Sequence, residues 1–212
     1  MKQQPTKINT VFLNKWFNSR GFIQKKRLFW YTHDNGLLRV VGFDNKTNNY
    51  EALYFIQPLF DFSDCFVLEY GDTLVRKYES NLFMLYKDMP DSRFERNVDN
   101  CLQCFERKII PFLNQIATAE DLFEATIDNK MFCSDVSNIL RLQAYCKLYS
   151  KRYEEALMFF QKYIEYIKKY GYCYESILKE PLFLTELLKQ IPEKAFEILQ
   201  DNVSKSEGIL RL

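Results

Sequence analysis

The sequence predicts an α+β protein: a four-stranded, mainly antiparallel sheet packed by helices on one face, followed by a helical carboxy-terminal region. Two observations predict this class. Apolar runs rich in aromatic and β-branched residues, separated by short polar turns, fill the first part of the chain, as in an antiparallel meander. Beyond Pro90 the apolar residues recur every three or four positions, which is the spacing of one helix face. We therefore expect an α+β domain over residues 1–130 and a helical region over residues 131–212.

The first elements are a helix and a hairpin. Apolar residues from Ile8 to Trp16 have helical spacing, and Gly21 is placed to end that helix. The segment 34–36, Asp-Asn-Gly, separates two β-rich runs, and Asn-Gly in that position is typical of a tight β-hairpin.

Two further strands are predicted over residues 50–60 and 65–70. Pro58 has no amide hydrogen to donate to a strand neighbour, so we expect it at an edge or at the end of its strand. Gly71 follows the second run, and we expect it to supply a backbone conformation that other residues resist.

Helices are predicted from Phe94 onward. The apolar stripe from Phe94 to Phe112 contains Pro111, which should kink or end the helix because proline lacks the amide donor. Thr118 and Asp121 have the spacing of a capping box. The remaining periodic segments predict helices over residues 118–129, 135–149, 153–169, 176–190 and 193–202.

One pair of these helices resembles a tetratricopeptide repeat. Small and aromatic residues are placed as in that repeat, where small side chains let two antiparallel helices approach closely; they are Leu140, Ala144, Tyr153, Ala156 and Phe160. Tyr163 stands where the repeat usually has a small residue. We therefore expect one repeat-like helical hairpin rather than a solenoid.

Composition excludes little about function. Hydrophobic residues make up 47% and charged residues 27% of the chain, and the net charge is +1, so no overall field indicates nucleic acid or a membrane as partner. The sequence contains no secretory-type segment at its amino terminus and no apolar run long enough to cross a bilayer. We expect a cytoplasmic protein whose six cysteines are reduced thiols.

Few residues carry recognisable chemistry. Cys101 and Cys104 form the only CxxC motif, and His33 is the only histidine. A metal or redox role for the two thiols stays open, but their place within a predicted helix favours structural cysteines. We expect no catalytic residues, no metal site and no cofactor.

Two sets of residues are candidates for binding. Tyr163, Tyr166 and Tyr170 share a helix face, and tyrosine combines contact area with a hydroxyl, as partner surfaces require. The alternative set is Gln57, Glu69 and Tyr70, which would form a small-ligand or catalytic site between the sheet and the helices.

Several short segments resemble the bacterial domain of unknown function 4304 family. They follow an amphipathic first helix, cover about residues 8–125, and are Gly21-Phe22, Phe29-Trp30-Tyr31, Gln57-Pro58-Leu59 and Leu68-Glu69-Tyr70-Gly71-Asp72-Thr73-Leu74. The resemblance implies a bacterial cytosolic α+β protein. It brings no activity and no catalytic residues to this chain.

The leading functional hypothesis is a non-enzymatic protein-interaction protein of adaptor or immunity type, whose partner is another protein. The alternative is an enzyme or a small-ligand-binding protein. Nucleic acid is a weaker third hypothesis, because the overall charge is almost neutral. The oligomeric state stays open.

Overall fold

A computed structural model describes residues 7–26, 28–61, 70–128, 135–170 and 174–212 and shows an α+β fold with an antiparallel sheet. Its strands are β1 (Ile23–Lys26), β2 (Phe29–Asp34), β3 (Leu37–Asn45), β4 (Asn49–Pro58), β5 (Tyr70–Thr73) and β6 (Leu85–Tyr86). Its helices are α1 (Thr10–Asn18), α2 (Leu74–Tyr78), α3 (Asp91–Cys104), α4 (Ile110–Gln115), α5 (Ala119–Asp128), α6 (Val136–Tyr149), α7 (Tyr153–Tyr170), α8 (Tyr174–Gln190) and α9 (Pro192–Leu210). A 3₁₀ turn spans Asn81–Phe83, and a π-helical turn spans Phe105–Ile109.

The sheet has the order β1-β2-β3-β4-β5, and β6 pairs with the start of β4. The prediction of four strands was therefore wrong, because the described residues form six. The two short strands, β1 and β6, contain four and two residues, which is too few to show a period of two in the sequence. The strand predicted over residues 65–70 lies outside the described residues except for Tyr70, where β5 begins.

The central strands are buried on both faces. The first seven residues of β3 and the last seven of β4 are all buried. Successive residues of a strand point to opposite faces, so both faces of these strands are covered. Burial does not show which elements cover each face, so the expectation of helices on one face stays a prediction.

Local turn chemistry follows the sequence closely. Asn35 and Gly36 have φ angles of 48° and 73°, the left-handed values that a two-residue hairpin turn requires, so the predicted hairpin is confirmed. Pro58 is the last residue of β4, as expected. Asp121 accepts hydrogen bonds from the Thr118 amide (2.9 Å), and its own amide donates to the Thr118 hydroxyl (3.2 Å), which confirms the capping box.

The chain packs as two compact units. The first draws its described residues from Met1–His33, Leu38–Ile56 and Gly71–Asn114, and the second from Asp34–Leu37, Gln57–Tyr70 and Gln115–Leu212. These units follow packing rather than chain order. The predicted domain boundary near residue 130, which concerns independent folding, stays a prediction.

The first unit has an aromatic core. The Phe17 ring stacks on Trp30 at 4.4 Å between centroids and contacts Phe105 at 5.9 Å. Pro111 does not end the helix that carries Phe105, because the backbone widens into the π turn directly before it. The residue four positions earlier, Arg107, lies in that turn, where the proline ring would otherwise meet its carbonyl.

The second unit contains the predicted helical hairpin. Helices α6 and α7 lie against each other and begin and end within one residue of the predicted positions. Ala144 and Ala156 are fully buried, and the rings of Tyr145 and Phe160 meet edge to face at 5.3 Å. Small residues therefore lie at the buried positions, as the repeat-like pattern predicts.

Gly71 is required for a close approach between strands. A methyl group at Gly71 would lie 2.0 Å from the Tyr54 carbonyl oxygen and 2.6 Å from the Phe55 Cα. Gly71 is not among the residues with positive φ, so the expected reason, an unusual backbone conformation, was wrong. The contact itself excludes every larger side chain.

We expect Gly71→Ala to lower the free energy of unfolding by more than about 2 kcal/mol, because the backbone of β4 must move to admit a methyl group. Urea denaturation followed by circular dichroism measures this. Gly208→Ala in α9 is the control, since a methyl group there meets nothing within 4 Å. It should raise the free energy of unfolding by about 0.5–1 kcal/mol, because alanine favours the helix more than glycine does. Equal stability of the wild type and Gly71→Ala would contradict the account.

Candidate functional site

Gln57 and Tyr70 lie on neighbouring strands and are both buried, at 3% and 2% exposure. The Tyr70 hydroxyl approaches the Asn138 carbonyl oxygen of α6 at 3.5 Å. Glu69 lies outside the described residues. Of this predicted set, therefore, the structure places two residues in the interior.

The three predicted tyrosines of α7 do not share one environment. Tyr163 is 3% exposed and packs with Ile164, Ile167 and Leu178, whereas Tyr170 is 56% exposed. Tyr166 is half-buried between them, and its ring lies 5.0 Å from that of Tyr170. The stripe therefore runs from the core to the solvent along a single helix.

An ion pair in the second unit joins Arg141, whose side chain is 30% exposed, to the buried Asp61. Arg141 Nη2 of α6 donates to Asp61 Oδ1 at 2.5 Å, and the Asp61 side chain is only 7% exposed. Burial acts to lower the pKa of Arg141, but the carboxylate of Asp61, with smaller effects from Tyr145, Tyr70 and Tyr163, raises it overall. Arg141 thus stays charged, and Tyr70 and Tyr163, two of the predicted tyrosines, lie near enough to influence it electrostatically.

Tyr145 completes this cluster. It is fully buried, and burial, together with the nearby carboxylates of Asp61 and Glu180, raises its pKa well above the usual value. Its hydroxyl therefore stays protonated. The ion pair of Asp61 and Arg141 thus joins α6 to the residues after β4.

Sequence reasoning missed Arg141, although one signal was present. Arg141 stands four residues before Tyr145 and seven before Leu148, both fully buried, so it occupies a core-facing position of α6. A charged residue at such a position needs a buried partner. The partner, Asp61, is eighty positions away in the sequence.

A buried cation, Lys147, joins α5, α6 and α7. Lys147 Nζ, on a side chain that is 4% exposed, contacts Glu120 Oε1 at 2.5 Å and Glu155 Oε2 at 3.2 Å. It also lies 3.7 Å from the centre of the Phe123 ring. Both of its carboxylates belong to the second unit, so this network joins three helices of that unit.

The thiols of the CxxC motif are held in their protonated form. Cys101 and Cys104 are buried, and burial raises the pKa of both thiols. Redox exchange and metal binding use the thiolate, which burial disfavours here. Among the described residues, no group of three or more His, Cys, Asp or Glu side chains is arranged to hold a metal ion.

A cavity of about 460 Å³ lies in the first unit. Its lining comes from the start of β4, from the junction of β5 and α2, and from β6; the residues are Asn49, Tyr50, Glu51, Thr73, Val75, Arg76, Met84, Leu85 and Tyr86. Consecutive residues of a strand point to opposite faces, yet three in a row line this cavity. The cavity therefore opens at the edge of β4, where its pairing partner changes from β5 to β6.

Comparison with protein-family models, with curated proteins and with solved structures found no match to this chain. Within the described ranges, no helix is both long and apolar enough to cross a membrane.

Arg141→Met should lower the free energy of unfolding by about 2 kcal/mol, because it removes the cation that hydrogen-bonds to the buried Asp61 carboxylate. The double variant Asp61→Asn/Arg141→Met should lose less than the sum of the two single variants, which urea denaturation measures. Arg152→Met is the control. It removes an exposed partner of Glu155 and should lower the free energy of unfolding by only about 0–1 kcal/mol. Equal losses in Arg141→Met and Arg152→Met would contradict a buried pair.

Glu155 should make stability depend on acid pH. Its hydrogen bond from Lys147 lowers its pKa from the usual 4.5. A lowered pKa stabilises the fold above the unfolded-state value, and that contribution disappears as the pH falls through the folded-state value. Glu155→Gln should therefore be less stable than the wild type at pH 7 and approach it below pH 4.5 in thermal unfolding. A gap that stays constant with pH would contradict this.

Proposed function

We propose that this chain is a non-enzymatic protein-interaction protein, of adaptor or immunity type, that binds another protein through the outward face of α8. The resemblance to the domain of unknown function 4304 family implies no activity, so the proposal goes beyond that resemblance. It is supported by the apolar side chains that the second unit presents to solvent.

One observation carries the proposal: Leu182 and Phe183 are 43% and 55% exposed in the middle of α8. Leu178, Leu184 and Leu188 of the same helix are buried. Leu182 and Phe183 therefore leave much of their apolar surface in contact with solvent beside the buried part of the helix. Exposed neighbouring apolar residues of this size, framed by charges, are typical of protein-binding surfaces.

The charges around the pair define the kind of partner. Lys179 and Glu186 lie three residues before Leu182 and three after Phe183, so all four share one helix face. Glu186 is held by Lys189 at 2.7 Å. A matching surface would present an apolar pocket for Phe183 with an acidic group near Lys179.

Tyr170 of α7 is also exposed, and Lys169 Nζ lies 4.9 Å from the centre of its ring. An aromatic ring with an amine beside it suits a partner surface that is partly polar. Tyr163 is buried, so the contact surface that we propose takes Tyr170 and the outward face of α8 rather than the whole tyrosine stripe.

The alternative function, an enzyme or small-ligand protein with a site built around Gln57, Glu69 and Tyr70, stays a second proposal. Its support is the polar character of the interior near Tyr70, where Arg141 and Asp61 meet. The interaction proposal is preferred because Asp61 already binds the guanidinium that such a site would use.

Affinity purification from the native host lysate tests the interaction surface. The two proteins used as bait are the wild type and Leu182→Glu/Phe183→Glu, which places two charges on the α8 face at positions that are 43% and 55% exposed. We expect a protein captured by the wild type to be lost, by about tenfold or more, with the double variant, since truncating or charging central anchors removes most of the binding energy.

The matched control is Val11→Glu/Ile23→Glu in the first unit, at positions 67% and 59% exposed. It adds the same two charges on another surface and should retain the partner. Circular dichroism must show the same folded signal for all three proteins. A partner that both double variants retain, or that both lose while folded, would overturn the assignment to α8.

A further inference from the structure

We propose that the cavity at the edge of β4 binds a small zwitterion with an apolar side chain, namely a free amino acid or a dipeptide. The site lies in the first unit and is independent of the α8 surface. Its volume of about 460 Å³ falls within the usual range for small-molecule sites. Three features of its lining select this chemical class.

The basic feature is Arg76, whose guanidinium is already held in position. Its Nε donates to Asp72, and the Asp72 side chain is 10% exposed while that of Arg76 is 58% exposed. Asp72 is fixed in turn, because it accepts a hydrogen bond from the Thr73 amide at 2.7 Å. An arginine has five N–H donors in a planar fork, which matches a carboxylate, and a fixed fork loses little freedom on binding.

The acidic feature is Glu51, which lines the same cavity from β4. Lys46 lies near enough for the charge of Glu51 to affect it, but the ion pair of Lys46 is with Asp44, at 2.5 Å. A carboxylate at the wall of a cavity accepts hydrogen bonds from an ammonium group. Glu51 and Arg76 thus offer one partner for each charge of a zwitterion.

The rest of the wall is partly polar, and its apolar part can receive a side chain. Val75, Met84 and Tyr86 line the cavity, and Tyr86 is 44% exposed although it pairs with β4. Methionine and tyrosine adapt to apolar side chains of different shape. An aliphatic side chain such as that of leucine would therefore pack here while the two charged ends of the ligand contact Glu51 and Arg76.

Isothermal titration calorimetry of the full chain with L-leucine and with the dipeptide Leu-Leu tests the site. If leucine binds, the ligand is of the free amino acid class. If Leu-Leu binds and leucine does not, the ligand is of the dipeptide class. N-acetyl-leucine and leucinamide each lack one charge, and we expect each to bind about tenfold or more weakly than the zwitterion that binds.

Glu51→Gln and Arg76→Gln should each weaken that binding by about tenfold or more, and Arg76→Lys should be intermediate because it keeps the charge and loses the fork. Arg76→Lys also keeps the test open if Arg76→Gln fails to fold. The control is Glu95→Gln/Arg96→Gln, which removes one acid and one base from the exposed face of α3 and should bind as the wild type does.

Three results would overturn the proposal. The first is no binding of either zwitterion to the wild type at about 10 mM ligand. The second is equal binding by the wild type, Glu51→Gln and Arg76→Gln. The third is equal binding of leucine, N-acetyl-leucine and leucinamide, which would show that the cavity does not recognise the two charges.

Discussion

The ion pair between Arg141 and Asp61 is the interaction on which the second unit depends. β4 ends at Pro58 and is followed by Leu59, Phe60 and Asp61. The last helix, α9, also attaches to this short segment. Asn202 and Ser206 of α9 donate to the carbonyl oxygens of Phe60 and Leu59, both at 3.2 Å, and the Phe60 ring stacks on Tyr149 of α6 at 4.4 Å. Three adjacent residues therefore fix two helices. The buried carboxylate of Asp61 is satisfied only when α6 brings Arg141 to this segment, so the ion pair ties the position of α6 to the end of β4.

The first unit is constrained by close backbone approach instead of by charge. Gly71 lets β5 lie against β4, and a methyl group at Gly42 would meet the Leu28 carbonyl oxygen at 2.3 Å. Strand β5 then ends after four residues, because Thr73 caps α2. The chain pairs with β4 again only at β6. The cavity that Glu51 and Arg76 line lies between the pairing of β5 with β4 and that of β6 with β4. The cavity is thus a consequence of how the strand pairing changes along one edge.

The two proposed binding features differ in the kind of partner that they suit. Leu182 and Phe183 lie on a convex helix face, where a protein partner with a complementary pocket can cover them. Glu51 and Arg76 lie in a concave site with opposite charges, where a small molecule can satisfy both. Arg141 and Lys147 pair with carboxylates within the second unit and so connect its helices to one another and to the end of β4.

The sequence by itself determined the features that short-range hydrogen bonding and side-chain spacing control. These are the hairpin turn at Asn35 and Gly36, the capping box of Thr118 and Asp121, and the helical hairpin with Ala144 and Ala156 at its buried positions. Only the tertiary structure decided which residues meet across long separations. It brought Arg141 to Asp61, placed the two-residue strand β6 beside β4, required a glycine at position 71, and divided Tyr163 from Tyr170 between core and solvent. The physical reason is that a local pattern fixes the conformation of a segment, whereas its partners depend on burial and close contacts between segments far apart in the chain.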